Sequence, residues 1–470
     1  MNNSRKEIIA DSMQFVKQNK GLLIDINNPN AFSYPSPRIS SEYTDCALPL
    51  TFDSYSHCSL GCTYCFAFQF KSSNTSFSRK LHAVNPKRMI KEMEGKAKSK
   101  FYKHFYKKRF IIHWGGLSDP FCNFEKANKV GYEIIEYLAK TAYPTLFSFK
   151  GNAIFQPKFR KLFGKYAHQK NFAFQVSIVT DSDKKSRQVE IGVQSTTKRI
   201  KAIKMLSDMG YYTVLRLRPF ILGLTDIGLD NLLHRCLDAG IQGVSVEFTA
   251  IDFRNKDVLK KRLDWLGHLI GTKDIMKYFQ CLSPTERGSY LRLNRLVKEE
   301  YIKKIYLFCK KNNLTFGCSD PDFKELSSTG CCCALPSKYP ENKELTNWSK
   351  NQLTYHLIEA RKSYHLIGNR KRLYFDKTYN PKEDTYLSDS KLTRESPAVF
   401  TMNAAERSFS NLHDILRQGW NNLRSPGNPR NYFHGKIMPT RIDEQGNLVF
   451  VYVASDYENR WTKEGIDLSN

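Results

Sequence analysis

The stretch LPLTFDSYSHCSLGCTYCF, residues 48–66, joins a short apolar run to a loop that carries three cysteines. The run Leu48–Phe52 has the length and composition of a buried strand. Cys58, Cys62 and Cys65 follow it in a CxxxCxxC arrangement. The order of strand and then cysteine loop is the feature from which the rest of the chain can be interpreted.

Short apolar runs alternate with amphipathic stretches along more than half of the chain. The predicted strands are Leu48–Phe52, Phe110–Trp114, Leu146–Lys150, Phe172–Ile178, Thr213–Pro219, Gly243–Phe248 and Leu314–Gly317. The predicted helices include Asn123–Thr141, Thr197–Met209 and Gly228–Ala239. Such alternation is typical of parallel strands in an α/β sheet or partial barrel. Because the loops at the carboxyl ends of the strands carry the chemistry in these folds, we expect those loops to share one face.

The sequence changes character after the barrel-like part. Residues 337–470 are polar and rich in Asn, with a helical pattern at Leu353–Tyr364 and a strand pair whose apolar arm is Leu448–Val453. We therefore predict an N-terminal extension over residues 1–47 and a barrel domain with a cysteine-rich end over residues 48–336. A smaller appended α+β domain is predicted to follow.

The formal net charge of +27 over 470 residues is the second informative number. Such a surplus attracts polyanions, nucleic acid first and anionic membrane surface second. A solvated basic surface without such a partner is the alternative. No stretch approaches the roughly 20 apolar residues of a membrane span. The segment Met1–Asn19 lacks the apolar core of a signal peptide, so we expect a cytoplasmic protein without a membrane partner.

Twelve cysteines in a chain without a secretory signal argue against a disulfide framework. In a reducing compartment, clustered cysteines more often bind a metal or a cluster, whereas scattered ones are buried as small hydrophobes. The scattered set is Cys46, Cys122, Cys236, Cys281 and Cys309. The clustered set is Cys58, Cys62 and Cys65 and, far downstream, Cys318 with Cys331, Cys332 and Cys333.

The three thiols of the CxxxCxxC loop can bind three irons of a [4Fe–4S] cluster. The fourth iron then lacks a protein ligand, and S-adenosylmethionine can chelate it through its amino and carboxylate groups. Electron transfer from the reduced cluster cleaves the sulfonium bond and releases a 5′-deoxyadenosyl radical. His57 beside the motif offers an alternative, a tetrahedral zinc site, although adjacent His57 and Cys58 are awkward as ligands of one ion. A structural accident is the remaining alternative.

Several further segments accompany the cysteine loop. The CxxxCxxC motif followed by Phe66 resembles the radical S-adenosylmethionine superfamily. The likeness to its spore photoproduct lyase-like branch rests on IIHWGGLSDPF at 111–121 with Glu125, FSFKG at 147–151, QVSI at 175–178 with Glu190 and Arg199, and LRPFILGLTD at 217–226. The resemblance covers roughly residues 48–248.

The resemblance implies a partial (β/α)6 barrel of the TIM-like type, with the cluster and S-adenosylmethionine at its top. The implied cluster ligands are Cys58, Cys62 and Cys65. The implied cosubstrate contacts are Gly115, Gly116, Ser118, Asp119, Lys150, Ser177, Glu190 and Arg199. For Asp119 and Glu125 the alternative is a helix N-cap and a first-turn acid, and for Lys150 it is an ordinary surface lysine. Val176 stands beside Ser177 where the repair enzyme of this branch has a hydrogen-donating cysteine.

Cys318 follows the last predicted strand, so we expect it at the same face as the CxxxCxxC loop. With Cys331 and Cys333 it forms a candidate ligand set for a second cluster or zinc, because three consecutive cysteines cannot all face one metal. Cys318 is also a candidate catalytic residue, a thiol that donates hydrogen to a substrate radical. Packing of buried thiols is the third interpretation.

Two basic segments are candidate nucleic-acid contacts. Residues 98–109 interleave cations with aromatic side chains, which suits phosphates and unpaired bases. The alternative is an amphipathic helix that buries Phe101 and Phe105. The segment 420–436 offers Arg, Asn, Tyr and His side chains among turn residues, and a purely structural loop is its alternative.

Three functions are compatible with these features. The leading hypothesis is a radical enzyme, of the lyase or the modification class, that abstracts hydrogen from a base or sugar during repair or modification of DNA or RNA. A donor such as flavodoxin or ferredoxin is expected to supply its electrons. The second hypothesis is modification of a peptide or protein, with an auxiliary cluster at the Cys318 group. The third is a non-catalytic iron–sulfur or zinc protein that binds nucleic acid.

Overall fold

The fold is described from a computed structural model of the chain. The described residues are 24–25, 27–34, 37–39, 47–48, 50–69, 81–97, 100–252, 256–282, 285–287, 290–336, 353–367, 377–380, 385–388, 433, 435–442 and 448–470. They fall into two compact units. The first unit lies within Met1–Arg38, Leu50–Lys98 and Ile111–Leu307, and the second within Ile39–Pro49, Ser99–Phe110 and Phe308–Asn470.

Strands and helices alternate along most of the described chain. The strands are β1 (Arg38–Ile39), β2 (Leu50–Phe52), β3 (Ile112–Trp114), β4 (Thr145–Phe149), β5 (Phe172–Ser177), β6 (Tyr212–Phe220), β7 (Gly243–Phe248), β8 (Ala250–Asp252), β9 (Thr285–Arg287), β10 (Tyr290–Arg292), β11 (Thr315–Cys318), β12 (Lys377–Asn380), β13 (Thr385–Ser388), β14 (Ile437–Ile442) and β15 (Leu448–Tyr452). The helices are α1 (Pro86–Lys91), α2 (Lys100–Lys107), α3 (Asn123–Asn128), α4 (Val130–Lys140), α5 (Pro157–Tyr166), α6 (Asp183–Val189), α7 (Thr196–Asp208), α8 (Leu229–Asp238), α9 (Lys256–Leu269), α10 (Ile275–Cys281), α11 (Arg295–Lys311), α12 (Leu353–Ile367) and α13 (Asp456–Lys463).

The first unit contains the parallel sheet that the sequence predicts. Strands β2 to β7 lie side by side in chain order, and each pairs with its successor in parallel. Sequential parallel strands need a crossover of a dozen or more residues, which the intervening helices supply. The α/β class and the partial (β/α)6 type predicted from the sequence are confirmed.

Two helices of this unit begin at serine caps, and two end just before a glycine. Ser182 and Ser195 precede α6 and α7, and each hydroxyl accepts a hydrogen bond from a backbone N–H of the first turn. Gly210 and Gly240 follow α7 and α8 in the left-handed region, at φ 84° and 91°. These are the serine caps and glycine stops that hold helix boundaries in place.

The predicted single helix Asn123–Thr141 is two helices, and this prediction was wrong. Lys129 adopts a left-handed conformation at φ 59° and separates α3 from α4. The amphipathic pattern continues across the break, which is why periodicity alone did not reveal it. The break is stabilised by Glu125, whose carboxylate accepts hydrogen bonds from the backbone N–H groups of Gly131 and Tyr132, 2.7 and 2.8 Å away.

One face of the parallel sheet carries an aromatic layer. Phe147 stacks on Phe174 across β4 and β5, with ring centroids 5.2 Å apart. Phe163 of α5 packs edge-on against Phe174 at 5.2 Å. Residues in register on neighbouring strands share a face, and successive residues alternate between faces. Side chains one position away, such as Ser148 and Gln175, therefore lie on the opposite face, which we call the polar face.

Smaller antiparallel elements complete the described structure. In the first unit, β10 pairs with both β8 and β9. In the second unit, β12 pairs with β13, and β14 pairs with β15. The last pair confirms the hairpin predicted near the carboxyl end of the sequence. None of the described helices is both long and apolar enough to cross a membrane.

Candidate active site

The cysteine loop is fixed to the segment that follows α6. The backbone N–H of Thr63 donates to the carbonyl of Val189 over 3.0 Å, and Gly192 donates to Leu60 over 2.8 Å. Cys62 forms an isolated antiparallel bridge with Glu190. A loop that would otherwise be free is thereby bound along its middle to the carboxyl side of the sheet.

Two side chains add further support to this loop. Ser59 Oγ accepts a hydrogen bond from the N–H of Asn123 at 2.8 Å. Arg262 of α9 donates to the carbonyl of Cys62 at 3.1 Å. Between Ser59 and Cys62 in the chain, Gly61 adopts φ 60°, in the left-handed region that glycine adopts without strain.

Gly192 lies so close to the loop that a side chain there has no room. A β-carbon at this position would lie 2.8 Å from the carbonyl oxygens of both Ser59 and Leu60. Those oxygens belong to the backbone between Cys58 and Cys62 and cannot move independently. The absence of a side chain at Gly192 therefore determines the path of the cysteine loop.

The three cysteines differ in exposure. Cys62 is buried, whereas Cys58 and Cys65 are partly exposed. Burial raises the pKa of the Cys62 thiol to about 12. The thiol of Cys58 contacts that of Cys122, a buried residue that the sequence had grouped with the scattered cysteines.

Lys150 at the end of β4 points towards Cys62. Its ammonium nitrogen lies 3.9 Å from Cys62 Sγ, 2.7 Å from the hydroxyl of Tyr64 and 3.5 Å from Glu190 Oε1. The Tyr64 hydroxyl also donates a short hydrogen bond to Glu190. The side chain of Lys150 is 14% exposed, so it is not an ordinary surface lysine.

Glu190 and Arg199 form a buried ion pair behind this group. Arg199 donates to Glu190 Oε2 over 2.6 Å, and the two side chains are 1% and 0% exposed. Arg199 also donates to the carbonyl of Ser177 over 2.6 Å and to Ser186 Oγ over 2.7 Å. Burial opposes ionisation of Glu190, but the charges of Arg199 and Lys150 outweigh it, and its pKa is lowered. The pair ties the cysteine-loop anchor to the end of β5.

The glycine turn after β3 is held by an aspartate that sequence analysis missed. Asp53 Oδ1 accepts hydrogen bonds from the N–H groups of Leu117 and Ser118 over 2.8 and 2.7 Å. A β-carbon on Gly115 would lie 2.2 Å from the carbonyl oxygen of Ser148, and one on Gly116 would lie 2.7 Å from a side-chain oxygen of β2. The position of Asp53 directly after β2 was the available signal.

The carboxylate of Asp119 is hydrogen-bonded to backbone N–H groups. It accepts hydrogen bonds from the N–H groups of Phe121 at 2.8 Å, Gly151 at 3.0 Å and Lys150. Burial raises the pKa of Asp119 to about 6, against the opposing effect of these hydrogen bonds. The carboxylate joins the turn after β3 to the turn after β4.

Ser177 lies at the end of β5 on the polar face. It is buried, and Arg216 of β6 reaches its hydroxyl at 3.4 Å. Gln175 on the same strand accepts a hydrogen bond from Ser148 at 2.7 Å, and Ser148 lies 2.8 Å from His113 Nε2. This polar row was also missed, because alternate positions in a strand buried on both faces show no periodic pattern.

The first unit thus gathers at its carboxyl edge all the predicted cluster and cosubstrate residues. They are Cys58, Cys62, Cys65, Gly115, Gly116, Ser118, Asp119, Lys150, Ser177, Glu190 and Arg199. Each follows, ends or directly supports one of strands β2 to β5. Their roles as ligands and cosubstrate contacts remain predictions.

The second cysteine group lies in the second unit. Cys318 ends β11 and is fully buried, and its backbone N–H donates a hydrogen bond to the hydroxyl oxygen of Ser327 over 2.9 Å. A β-carbon on Gly317 would lie 2.6 Å from the carbonyl oxygen of Cys332. The strand of Cys318 therefore runs directly against the loop of the cysteine triplet, in which Cys331 and Cys333 are buried.

The first basic segment contains helix α2. Phe105 and Tyr106 are buried, while Lys103 and Lys107 are exposed. This arrangement is that of an amphipathic helix, with its lysines outward. Most of the second basic segment, 420–436, lies outside the described residues.

The donors on the CxxxCxxC loop fit an iron–sulfur cluster in their chemistry. Three thiols lie on one short segment that is anchored at Thr63 and enclosed by Gly192. In the described part of the chain, no three His, Cys, Asp or Glu side chains are gathered closely enough to hold a single metal ion. A four-iron cluster makes a different demand, since each thiolate binds a separate iron.

No family model matches the chain, and no curated protein is similar to it in sequence. Solved structures show similarity. A double variant of spore photoproduct lyase with bound AdoMet and dinucleoside spore photoproduct is similar over 59% of this chain and 78% of its own, at 13% identity and a TM-score of 0.45. Spore photoproduct lyase complexed with dinucleoside spore photoproduct is similar over 64% and 83%, at 14% identity and a TM-score of 0.45.

A third structure, Streptococcus suis SuiB bound to S-adenosylmethionine, is similar over 58% of this chain and 51% of its own, at 13% identity and a TM-score of 0.35. Similarities at this level concern the fold and carry no inference about activity.

Proposed function

We propose that this chain is a radical S-adenosylmethionine enzyme that acts on a nucleic acid. The observation that supports this most directly is the position of Cys62. It is anchored against Glu190 at the carboxyl edge of parallel strands, beside the ammonium of Lys150. Cys58 and Cys65 lie on the same loop, so the three thiols occupy the edge where α/β enzymes carry their chemistry.

The residues of the loop have separate roles in this proposal. When bound to Cys58, Cys62 and Cys65, a [4Fe–4S] cluster supplies the electron that cleaves S-adenosylmethionine to a 5′-deoxyadenosyl radical. Lys150 places a positive charge beside Cys62, which offsets the charge of a thiolate there. Tyr64 holds Lys150 through a 2.7 Å hydrogen bond.

Apart from Lys150, which is assigned to Cys62, the predicted cosubstrate contacts divide into two groups. Gly115, Gly116, Ser118 and Ser177 lie at strand ends and are proposed to line the cosubstrate. Asp119, Glu190 and Arg199 have their charged atoms engaged with backbone donors or with each other. We assign these three to positioning of the strand-end loops, which pre-organises the groups that touch the cosubstrate.

A nucleic acid is the proposed substrate because of charge. The net charge of +27 favours a polyanionic partner, and the exposed lysines of α2 add to the basic surface. Binding of DNA or RNA is expected to weaken steeply with salt, since released counterions drive such association. Affinity that stays constant from low to high salt would overturn the choice of substrate without touching the radical chemistry.

The enzyme class is tested by anaerobic reconstitution of the full chain with iron and sulfide. The expected product holds four irons on the CxxxCxxC loop and, after reduction, changes its paramagnetic spectrum when S-adenosylmethionine is added. A chemical reductant replaces the proposed flavodoxin or ferredoxin donor. A Cys58→Ala, Cys62→Ala, Cys65→Ala triple variant that retains the same spectrum would overturn the proposal.

The Cys318 group supports a second proposed site. Because β11 runs against the loop of the cysteine triplet, Cys318 lies in the same buried region as Cys331 and Cys333. An auxiliary cluster there, in which each thiolate binds a separate iron, would accompany chemistry on a peptide or protein substrate, which is the second candidate function. Metal analysis of the CxxxCxxC triple variant tests it: residual iron or zinc that is lost with Cys318→Ala supports the second site, and a metal-free triple variant excludes it.

A further inference from the structure

The polar face of the parallel sheet carries a concentration of arginines near its carboxyl end. Arg216 and Arg218 are two residues apart on β6 and therefore project to the same face. Arg216 is in register with Ser177 on β5 and Ser245 on β7, both small and both buried. Both serines are much shorter than the arginine side chain between them.

Glu247 links this pair to a third arginine. Its carboxylate lies 3.6 Å from Arg218 Nε and 4.0 Å from Arg292 NH1 on β10. Arg218 and Arg292 are 9% and 19% exposed, so both are largely withdrawn from solvent. Glu247 thus lies between two of the three guanidinium groups, those of Arg218 and Arg292, while Arg216 donates to Ser177 Oγ over 3.4 Å on the same face.

His113 reports the same positive potential from the neighbouring strands. Its ring nitrogen lies 2.8 Å from Ser148 Oγ on the polar face. Burial, together with the positive charges of Arg216 and Arg218, lowers the pKa of His113 to about 3. A neutral imidazole beside arginines can exchange hydrogen bonds with a bound anion without adding charge.

We propose that Arg216, Arg218 and Arg292 form a binding site for a phosphate group of the substrate. The planar guanidinium group donates paired hydrogen bonds that match the oxygens of a phosphate, and three such groups lie on strands β6 and β10 of this unit. The site would hold the substrate backbone on the polar face, beside Ser177. The inference rests on the proposed function in assigning the phosphate to a nucleic acid.

Binding of a defined pair of probes tests the site. The dinucleotide pdTpdT carries phosphate charges, whereas dithymidine joined by a methylphosphonate has the same shape and no charge. We expect an Arg216→Ala, Arg218→Ala double variant to bind pdTpdT at least 10-fold more weakly than wild type. Both proteins should bind the neutral probe equally, and acetate at the same concentration should not compete with pdTpdT. The titrations need neither reductant nor S-adenosylmethionine, so their failure leaves the radical chemistry standing.

Two further variants keep the proposal testable if the double variant does not fold. Glu247→Gln removes the competing carboxylate, and we expect it to bind pdTpdT several-fold more tightly, an effect in the direction opposite to general damage. An Arg160→Ala, Lys201→Ala variant loses the same charge from exposed positions on α5 and α7 and should bind as wild type does. A phosphate-specific site would be overturned if this control lost as much affinity for pdTpdT as the arginine double variant. Displacement of pdTpdT by acetate, or an unchanged affinity in Glu247→Gln, would overturn it as well.

Discussion

The ammonium nitrogen of Lys150 lies 3.9 Å from the sulfur of Cys62. The two residues come from different strand ends, β4 and the loop after β2, and meet because the parallel sheet brings its carboxyl ends to one edge. The same ammonium nitrogen forms an ion pair with Glu190, whose Oε1 lies 3.5 Å away. This contact makes the cysteine loop part of a charged network rather than an isolated metal-binding segment.

Removal of the Lys150 charge should make the proposed cluster harder to reduce. A positive charge beside a ligating sulfur stabilises the more negative reduced state. In Lys150→Met we expect iron content near that of wild type and a midpoint potential more negative by tens of millivolts, where about 59 mV corresponds to 1.4 kcal/mol for one electron. Redox titration followed by spectroscopy measures this shift.

Lys150→Arg should keep the wild-type potential because it retains the charge. Lys140→Met, at an exposed lysine of α4 that pairs with Glu136, removes one charge elsewhere and should have no effect. A Lys150→Met potential equal to that of Lys140→Met would show that Lys150 does not act on the cluster.

A methyl group at Gly192 should displace the cysteine loop. The β-carbon of Gly192→Ala would lie 2.8 Å from two carbonyl oxygens of that loop, too close for ordinary contact. We expect the variant to fold but to retain less than half of the wild-type iron after reconstitution. Iron and sulfide analysis of the purified protein is the measurement.

Gly164→Ala is the matched control for this substitution. Gly164 lies in helix α5, where an added β-carbon meets nothing within 4 Å. Alanine there should preserve the iron content and stabilise the helix by roughly 0.5–1 kcal/mol. Equal iron content in the two variants would contradict the role assigned to Gly192.

The buried pair of Glu190 and Arg199 should dominate the stability of the site. Arg199→Met leaves a buried carboxylate without its main partner, which costs about 3–5 kcal/mol. The thermal midpoint of unfolding should fall by roughly 6 °C or more. The Glu190→Gln, Arg199→Met double variant should recover part of the loss, because it removes the uncompensated charge as well.

The exposed pair of Lys204 and Asp208 provides the comparison. Its side chains are 57% and 56% exposed. Lys204→Met should therefore change stability by about 0–1 kcal/mol. A double variant that melts below Arg199→Met would contradict the burial argument.

Glu125 should give the protein a pH-dependent stability. Burial raises the pKa of Glu125 from 4.5 to about 7, despite hydrogen bonds from Tyr55 and two backbone donors. Between pH 4.5 and 7 the folded state holds a proton that the unfolded state releases, so the free energy of unfolding falls as pH rises through this window. The loss approaches about 3 kcal/mol above pH 7.

Glu125→Gln removes the titrating group. Its free energy of unfolding should be less dependent on pH between 4.5 and 7 than that of wild type, as measured by denaturant unfolding at several pH values. A lower stability at every pH is expected as well, since the amide cannot accept all the hydrogen bonds of Glu125. Identical slopes in the two proteins would contradict the raised pKa.

The sequence predicted the sheet because its strands are compact apolar runs. Gly243–Phe248 matches the observed β7, and the predicted Phe172–Ile178 differs from β5 by one residue. The break at Lys129 was missed because it interrupts an amphipathic pattern that remains continuous in sequence. Non-glycine residues in the left-handed region leave little trace in hydrophobic periodicity.

The sequence predicted which residues lie in the candidate site, but it did not predict the contacts between their side chains. The sequence identified Cys62, Lys150 and Glu190 separately, but their meeting depends on tertiary structure. The capping role of Glu125 was considered as an alternative, whereas the hydrogen bonds from Asp53 to the glycine turn were not anticipated. Partners that are 60 or more residues apart have no signature in a single sequence.

Formation of 5′-deoxyadenosine distinguishes a radical S-adenosylmethionine enzyme from a protein that only binds a cluster. The reconstituted full chain is reduced without oxygen, mixed with S-adenosylmethionine, and its products are quantified by chromatography and mass spectrometry. We expect 5′-deoxyadenosine in amounts exceeding one equivalent per chain for wild type and none for Cys62→Ala. A wild-type protein that binds four irons yet releases no 5′-deoxyadenosine, or equal yields from the two proteins, would contradict it.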